Sequence, residues 1–538
     1  MVAKIEKIVS ILGMVVLFLL AGWLRTNKVG QVPAGFYADE AAIAYNGYSL
    51  LETGRDEYGK SWPALFRSFG EYKTPTYSYL LVPIFKIWGK SVVVARDLTV
   101  ISGLLAIIGV MVLAKMWFKR WPVLWLSGLV LALMSWHILY SRSVYEVNLA
   151  LTMTIWGVVC LESGLKKTRW NWAVGFGLLA MSIVTYNGAR VVTPLLGLIW
   201  LILNRKEIFS NNNRKWVVVA VLVGLVCLWP VWRVVATTGF WERAGINIFN
   251  NGQGNSYDRI WEWASLLVAY FNPFYWFKLG DPGGRSSWVD LALMFGWQLP
   301  FIAFGWKRLE KESNRVIFWV VGWLLVAPVA ASLTRDPMAS IRSLSMVVPL
   351  SLLIGLGMGE IVEKYKNWGR VIIFGLFLVG TGRLYLSIFK MTDYYRFRDW
   401  DYGLAQVARE VKKIPENIPI LYTGKKINYI QLAYFLAKPL GYIEDNYGRN
   451  GSDYYNTGWW PDNKKIGRVE VREIVWKEDI FKDQIIIFGE LGLEQDQANE
   501  HCLATVFEIR GLDGKRIFWG VRTNPELKRL MGDRGCGE

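Results

Sequence analysis

Phe36-Tyr37-Ala38-Asp39-Glu40-Ala41-Ala42-Ile43-Ala44-Tyr45 sets two acids at the head of an alanine-rich segment, just after the first apolar run of the chain. That run, Ile8-Val-Ser-Ile-Leu-Gly-Met-Val-Val-Leu-Phe-Leu-Leu20, follows Lys4 and Lys7 and resembles a signal peptide. No small-residue cleavage site follows it, and Arg25 comes soon after Trp23, so it is read as an uncleaved first span. Acidic residues are favoured where a helix begins with unpaired N–H groups. The spacing therefore predicts a helix from Asp39 to about Glu52 that stops at Gly54. A polar stretch, Arg55 to Pro63, comes next. Glu71-Tyr72-Lys73-Thr74-Pro75 then leads into a second aromatic helix, Thr76–Trp88, which is too short to span and is expected along the membrane interface.

Outward from this loop, apolar runs recur to about residue 390. The 538 residues are 53% hydrophobic and 15% aromatic, with a mean hydropathy of +0.25. Crossing a bilayer core takes about 20 residues, and a soluble protein has no use for so many uncharged runs of that order. The 29 Trp and 25 Tyr suit the membrane–water interface. The expected fold is mainly α, a polytopic membrane protein of about eleven transmembrane helices. They are placed at 8–24, 92–114, 121–139, 147–163, 171–186, 191–203, 216–235, 288–306, 316–333, 343–361 and 369–389.

The net charge of +17 would suggest nucleic acid in a soluble chain. Here topology explains it, and no nucleic-acid partner is expected. One set of short loops is basic: Lys4/Lys7, Lys115-Lys119-Arg120, Lys166-Lys167-Arg169, Arg205-Lys206 with Arg214-Lys215, Lys307-Arg308-Lys311-Arg315, and Lys364-Lys366-Arg370. The alternate set carries only Arg142, Arg190, and Arg335 with Arg342. Cytoplasmic loops carry the Lys/Arg excess, so the first set is assigned to the cytoplasm. The segments 25–91, 236–287 and everything after about 390 then lie outside. A basic residue on the outer face runs against this bias, so each is either a ligand for something anionic or a snorkelling or ion-paired side chain.

The last stretch changes character. Asp401–Ile414 reads as an amphipathic helix, and Ile418–Thr423, Arg468–Trp476, Gln484–Phe488, Thr505–Arg510 and Arg516–Arg522 read as strands. Leu512-Asp513-Gly514-Lys515 is a hairpin turn. The chain is thus divided into a transmembrane domain, 1–390, and a soluble extracytoplasmic α/β domain, 391–538. Cys160 and Cys227 fall in apolar runs; Cys502 and Cys536 could pair. His137 and His501 are the two histidines, so histidine catalysis is poorly supplied.

The order of these pieces resembles the protein O-mannosyltransferase and aminoarabinose-transferase families, GT-C glycosyltransferases related to glycosyltransferase family 39. The resemblance covers roughly residues 1–390. It is carried by Asp39-Glu40, Gly54, Lys73-Thr74-Pro75 and Ala95-Arg96, then by Trp136-His137-Ile138-Leu139-Tyr140-Ser141-Arg142-Ser143-Val144-Tyr145-Glu146. Tyr186-Asn187-Gly188-Ala189-Arg190, Asn272-Pro273-Phe274 through Gly280-Asp281-Pro282-Gly283-Gly284-Arg285, and Arg335-Asp336-Pro337 with Ile341-Arg342 continue it. There are departures. Ala41 and Ala42 stand where the aminoarabinose transferases carry a basic residue, and Thr74 stands for the first Pro of their Lys-Pro-Pro. The loop 236–287 is too short for the lumenal domain of the mannosyltransferases. The broad bacterial membrane-glycosyltransferase group fits better than either named activity.

The resemblance implies transfer of a sugar from a polyprenyl-phosphate donor to an extracytoplasmic acceptor (protein, lipid or glycan), with inversion at the anomeric carbon, at the plasma membrane. It places the catalytic carboxylate at Asp39, which would take the acceptor's proton, and a second acidic residue at Glu146. Glu146 could orient the acceptor or help hold a divalent ion, or pair with Arg142 four residues earlier. Lys73, Arg96 and Arg342, with Arg190 and Arg285 behind them, are the expected ligands of the donor phosphate. Lys73 could instead pair with Glu71 or Glu40, and Glu40 is expected to cap its helix. No obligatory cofactor or metal ligand is expected, although Mg²⁺ or Mn²⁺ on oxygen ligands leaves little sequence trace. The rival reading is a transporter or flippase of lipid-linked glycans, which should carry ionisable residues near span centres. In this chain the charges gather at span ends.

Overall fold

Asp39 and Glu40 do open a helix, and it runs over Ala38–Thr53. The Glu40 carboxylate reaches back to accept the Tyr37 backbone N–H at 3.3 Å, which satisfies a donor the helix leaves unpaired. At the other end Gly54 takes a left-handed conformation, φ 68°, and its N–H returns to the Leu50 carbonyl at 2.9 Å. Only glycine adopts that backbone without a Cβ penalty. The expected start, stop and cap are all present.

This structure is a computed structural model describing residues 2–69, 71–166, 168–236, 248–251, 255–334, 336, 338–438, 443–444, 464–490, 492–532 and 535–536. Arg335 and Pro337 of the last motif, Lys167 of the basic set, and part of the expected outer segment 236–287 lie outside the described residues. The chain divides into two units. The first comprises Met1–Gly30, Thr74–Tyr77 and Ala95–Thr392; the second comprises Gln31–Lys73, Ser78–Val94 and Asp393–Glu538.

The first unit is helical. Val92–Phe118, Glu146–Lys166, Asn314–Ser332 and Leu344–Arg396 are long and apolar enough to cross a membrane, and Gly13–Thr26, Trp121–Leu133 and Asn171–Thr185 are shorter apolar helices. Val371, Phe374 and Leu378 are 61%, 70% and 64% exposed, an apolar face suited to lipid rather than water. The stretches expected at 343–361 and 369–389 form one helical run, Val347–Leu386, whose backbone breaks at Lys366 (φ 45°, ψ −116°) inside the basic loop expected between them. The expected run 288–306 becomes α-helical only at Leu299, because Pro300 suits the first turn of a helix and not its interior.

Ion pairs tie several members of the basic loop set to one another's helices. Arg120 bonds Glu363 and Glu360, and Arg308 bonds Glu360 at 3.3 Å. Arg315 bonds Glu162 at 2.5 Å and Asn204 at 2.7 Å. Of the sparse set, Arg142, Arg190 and Arg342 lie near the opposite ends of the helices that carry Glu162, Asn204 and Glu360.

Among its described residues the second unit holds two sheets. A hairpin pairs β1 (Phe66–Ser68) with β2 (Glu71–Lys73). The larger sheet has β3 (Ile420–Thr423), β4 (Ile443–Glu444), β5 (Lys464–Ile466), β6 (Val469–Val471), β7 (Ile485–Phe488), β8 (Ala504–Arg510) and β9 (Arg516–Arg522), in the order β4-β5-β6-β3-β7-β9-β8. β3 runs parallel to both neighbours, β6 and β7, and the other pairings are antiparallel. β7 is Ile-Ile-Ile-Phe, buried at every position, as a strand covered on both faces must be. The hairpin at 512–515 joins β8 to β9 as expected. The expected strand Arg468–Trp476 is a strand only over Val469–Val471; Trp476–Asp479 is helical because Asp479 accepts the Val475 N–H at 2.8 Å and caps a turn there. The expected helix is observed over Leu404–Lys413. Helix Tyr429–Leu436 was not expected; it packs on Ala38–Thr53, with the Tyr45 hydroxyl donating to the Lys438 carbonyl at 3.0 Å. Cys502 and Cys536 form a disulfide, and Cys160 and Cys227 are free.

Candidate functional site

In the second unit, Asp39 stands in the first turn of its helix with its side chain 43% exposed. The β1–β2 hairpin delivers Lys73 to it. The Lys73 ammonium, itself largely buried, pairs with Asp39 Oδ1 and lies 4.9 Å from the centre of the Phe69 ring. Of the acids that could pair with Lys73, Asp39 is the one that its ammonium bonds. The neighbouring acids are placed differently. Asp56 is fully buried and its Oδ1 accepts the Tyr58 and Lys60 N–H groups at 2.9 and 2.8 Å. Glu57, also buried, accepts from Asn46 Nδ2 at 3.2 Å and from the Tyr429 hydroxyl at 2.5 Å. Burial pushes Asp56 up to about 7 and raises Glu57 as well. Sequence reading passed over this acid–tyrosine cluster, since nothing in a polar stretch announces which carboxylates turn inward.

In the first unit, Glu146 opens helix Glu146–Lys166, and its Oε1 lies 3.5 Å from the Thr74 hydroxyl, which donates to the Thr185 carbonyl at 2.7 Å. Arg142 precedes that helix, so the two do not share a helix face. Its guanidinium is buried and donates to the Leu24 and Asn27 carbonyls at 2.6 and 2.8 Å. Arg96, fully buried, donates to the Val29 carbonyl at 2.9 Å. Both arginines thus bind backbone at the end of the first helix. Arg342 bonds Asp336 and the Thr334 hydroxyl, the latter at 2.8 Å. It also lines a water-sized cavity of about 30 Å³ with Val147, Tyr186 and Gly188, so it lies near the residues following Glu146 and those preceding Arg190. Arg190 is the second residue of helix Ala189–Ile208, and Arg285 lies in the turn after Asp281.

Asp281 belongs to the Gly280–Arg285 motif, whose sequence assigns it no role. Its Oδ2 accepts the Ser340 N–H at 2.7 Å and its Oδ1 accepts the Gly283 N–H at 2.8 Å; burial raises its carboxyl above the ordinary range. Ser340 in turn contacts the Tyr140 hydroxyl at 2.7 Å and accepts from Trp136 Nε1 at 2.9 Å. Three motifs distant in sequence, around 136–140, 281–286 and 336–342, are thereby one hydrogen-bonded network. Their recurrence as short polar islands between apolar runs was the available signal. His137 is buried against Arg25, with Nδ1 3.0 Å from its guanidinium. Among the described residues, no group of three or more His, Cys, Asp and Glu side chains is placed to hold a metal ion.

No protein-family model matches the chain, and no curated protein matches it. Solved structures do. ArnT from Cupriavidus metallidurans bound to undecaprenyl phosphate is 15% identical, with 95% of this chain and 97% of that chain covered and a TM-score of 0.57. The apo form of the same protein gives 13% identity, 98% and 99% coverage, and a TM-score of 0.54. The oligosaccharyltransferase AglB from Archaeoglobus fulgidus, in complex with an inhibitory peptide and a dolichol-phosphate, is 11% identical over 80% of this chain and 64% of its own, with a TM-score of 0.45. The likeness to ArnT over nearly the whole of both chains gives this protein the fold of ArnT.

Proposed function

We propose that this protein is an integral-membrane, inverting glycosyltransferase that moves a sugar from a polyprenyl-phosphate donor to an extracytoplasmic acceptor, with Asp39 as general base. The state of Asp39 carries this reading. It is the carboxylate of the first loop that stays open to solvent while held at a helix start by an ammonium group. In the transfer, the acceptor oxygen attacks the anomeric carbon and gives its proton to Asp39. The bond from that carbon to the phosphate oxygen breaks, and the lipid phosphate leaves with the electron pair. One displacement inverts the carbon. Lys73, Arg96 and Arg342, with Arg190 and Arg285, are proposed to meet the charge that develops on the phosphate, and Glu146 to orient the acceptor. No step is routed through a metal ion.

The fold supports a lipid-linked donor, since one of the ArnT structures holds undecaprenyl phosphate. The Cys502–Cys536 disulfide supports an oxidising, extracytoplasmic setting for the C-terminal residues. The test is complementation of a gene deletion, read by mass spectrometry of surface glycans. Loss of the gene should remove one sugar. Wild type should restore it, and Asp39→Asn should transfer it about 10²–10⁴-fold more slowly while the purified variant still binds undecaprenyl phosphate. Full restoration by Asp39→Asn would remove Asp39 from the mechanism.

A further inference from the structure

The second unit contains a cavity of about 430 Å³ that none of the residues assigned above touches. Its position follows from the sheet. β3 is the strand where the connection changes direction: the chain passes from β3 to β6 on one side and then crosses to β7 on the other. Loops leaving the carboxyl ends of such neighbouring parallel strands diverge and leave a crevice, the usual ligand position in open α/β sheets. The cavity is there. Thr423 ends β3 with Gly424 and Lys425 following it, and Gly489 and Glu490 follow β7. A side chain at Gly424 would collide with the cavity wall, since a Cβ there would stand 2.4 Å from the Tyr422 hydroxyl.

Three features specify the chemistry of a ligand. Aromatic rings form part of the wall: Phe397, Tyr402, Tyr422 and Phe518. Charges are present but paired with one another. Arg398 is gripped by Glu490 at 2.9 Å and by Asp513 at 2.8 Å, and Lys425 lies 3.3 Å from Asp401. Three carboxylates against two cations give a phosphate no net attraction. Last, Asn428 lines the cavity, is 3% exposed, and has Nδ2 donating to the Tyr422 hydroxyl at 2.7 Å, while its Oδ1 has no hydrogen-bond partner. If the amide is turned over, Oδ1 accepts from the tyrosine and the NH₂ is left over instead. Either way one buried polar group faces the cost of burial without a partner.

Apolar ring faces beside planar carboxylate, guanidinium and amide groups match a ring that is apolar on its C–H face and hydroxylated at its edge. We propose that this cavity binds a neutral saccharide, with Tyr402 stacking on the ring and Glu490 and Asn428 bonding its hydroxyls. The volume lies within the range of small-molecule sites, about 300–1,000 Å³, and accommodates a disaccharide. The site extends the transfer reading by naming what this unit holds, and it is testable without it because no donor is needed.

The experiment uses the full chain purified in a detergent without a sugar headgroup. Binding of maltose, cellobiose and mannobiose is measured by saturation-transfer NMR and calorimetry, with inorganic phosphate as the anionic probe. At least one disaccharide should bind saturably, and phosphate should neither bind nor compete. Tyr402→Ala should weaken the sugar about tenfold and Glu490→Gln about threefold. Glu490 is exposed and Tyr402 half-buried, so thermal unfolding of both variants should stay within a few degrees of wild type. Asp39→Asn should bind the sugar unchanged, which separates failure of this site from failure of the catalytic reading. Absence of saturable binding by all three sugars, preference for phosphate, or undiminished binding in both folded variants would overturn the proposal.

Discussion

Two acidic pairs lie in the first loop, Asp39-Glu40 and Asp56-Glu57, and the fold treats them in opposite ways. Asp56 and Glu57 both turn inward, one onto backbone N–H groups and the other onto Asn46 and Tyr429. Glu40 is equally buried and bonds the Tyr37 N–H. Asp39 alone of the four keeps an exposed side chain, with Lys73 as its ion-pair partner. Three carboxylates are buried and bonded to groups inside the fold, and the fourth remains accessible to an acceptor hydroxyl. The pairs are the same in sequence and different in use, so an acidic dipeptide carries no functional information until burial is known.

The contrast predicts a ranking of stability effects, readable by thermal or denaturant unfolding of the purified chain. Glu57→Ala should be the largest, about 3 kcal/mol, because it strands the Tyr429 hydroxyl in a buried site and takes away one of the two acceptors of the Asn46 amide. An equally small loss at Glu57 and at Asp39 would break the comparison. Asp56→Asn comes next and is pH-dependent. Burial lifts Asp56 from 3.8 to about 7, so between about pH 4 and pH 7 the folded state keeps a proton that the unfolded state releases. Stability is therefore lost as pH rises through that window. Asn retains an oxygen for the Tyr58 and Lys60 N–H groups but cannot ionise. The variant should match wild type at pH 4, exceed it at pH 8, and show a flatter melting temperature between them. Parallel pH profiles would place the raised carboxyl elsewhere.

Much of the scaffold was legible because it rests on local signals. The Asp39-Glu40 start and Gly54 stop bracket one helix, and Thr76–Trp88 and Arg516–Arg522 were read to the residue. The β1–β2 hairpin was not, because strands of three residues show no alternation to count, and Lys73 owes its position to that hairpin. Helix Tyr429–Leu436 is a short apolar run that periodicity cannot tell from a strand. Its Tyr429 decides the fate of Glu57 across more than three hundred residues. Of the candidate residues, those whose type alone suggests their chemistry were found, and the partners that select among them were set by tertiary contacts. Asp281 shows the same limit: its motif was noticed, but its bond to Ser340 belongs to the packed chain.

The two smallest effects fall on the first pair, and they divide it internally. Glu40→Ala removes the acceptor from one helix-start N–H and should cost about 1 kcal/mol, in the range of helix-cap losses. Asp39→Asn should cost less than that. Its side chain is substantially exposed, and water screens the attraction to Lys73; Asn is also an accepted residue near a helix start. The prediction is a dissociation of two readouts in one variant: an unfolding midpoint within a few degrees of wild type beside the large loss of sugar transfer. Structural carboxylates behave the other way, losing activity only as the folded fraction falls. If Asp39→Asn unfolded as readily as Glu57→Ala, Asp39 would belong with the three buried acids, and its openness to solvent would cease to argue for a role in proton transfer.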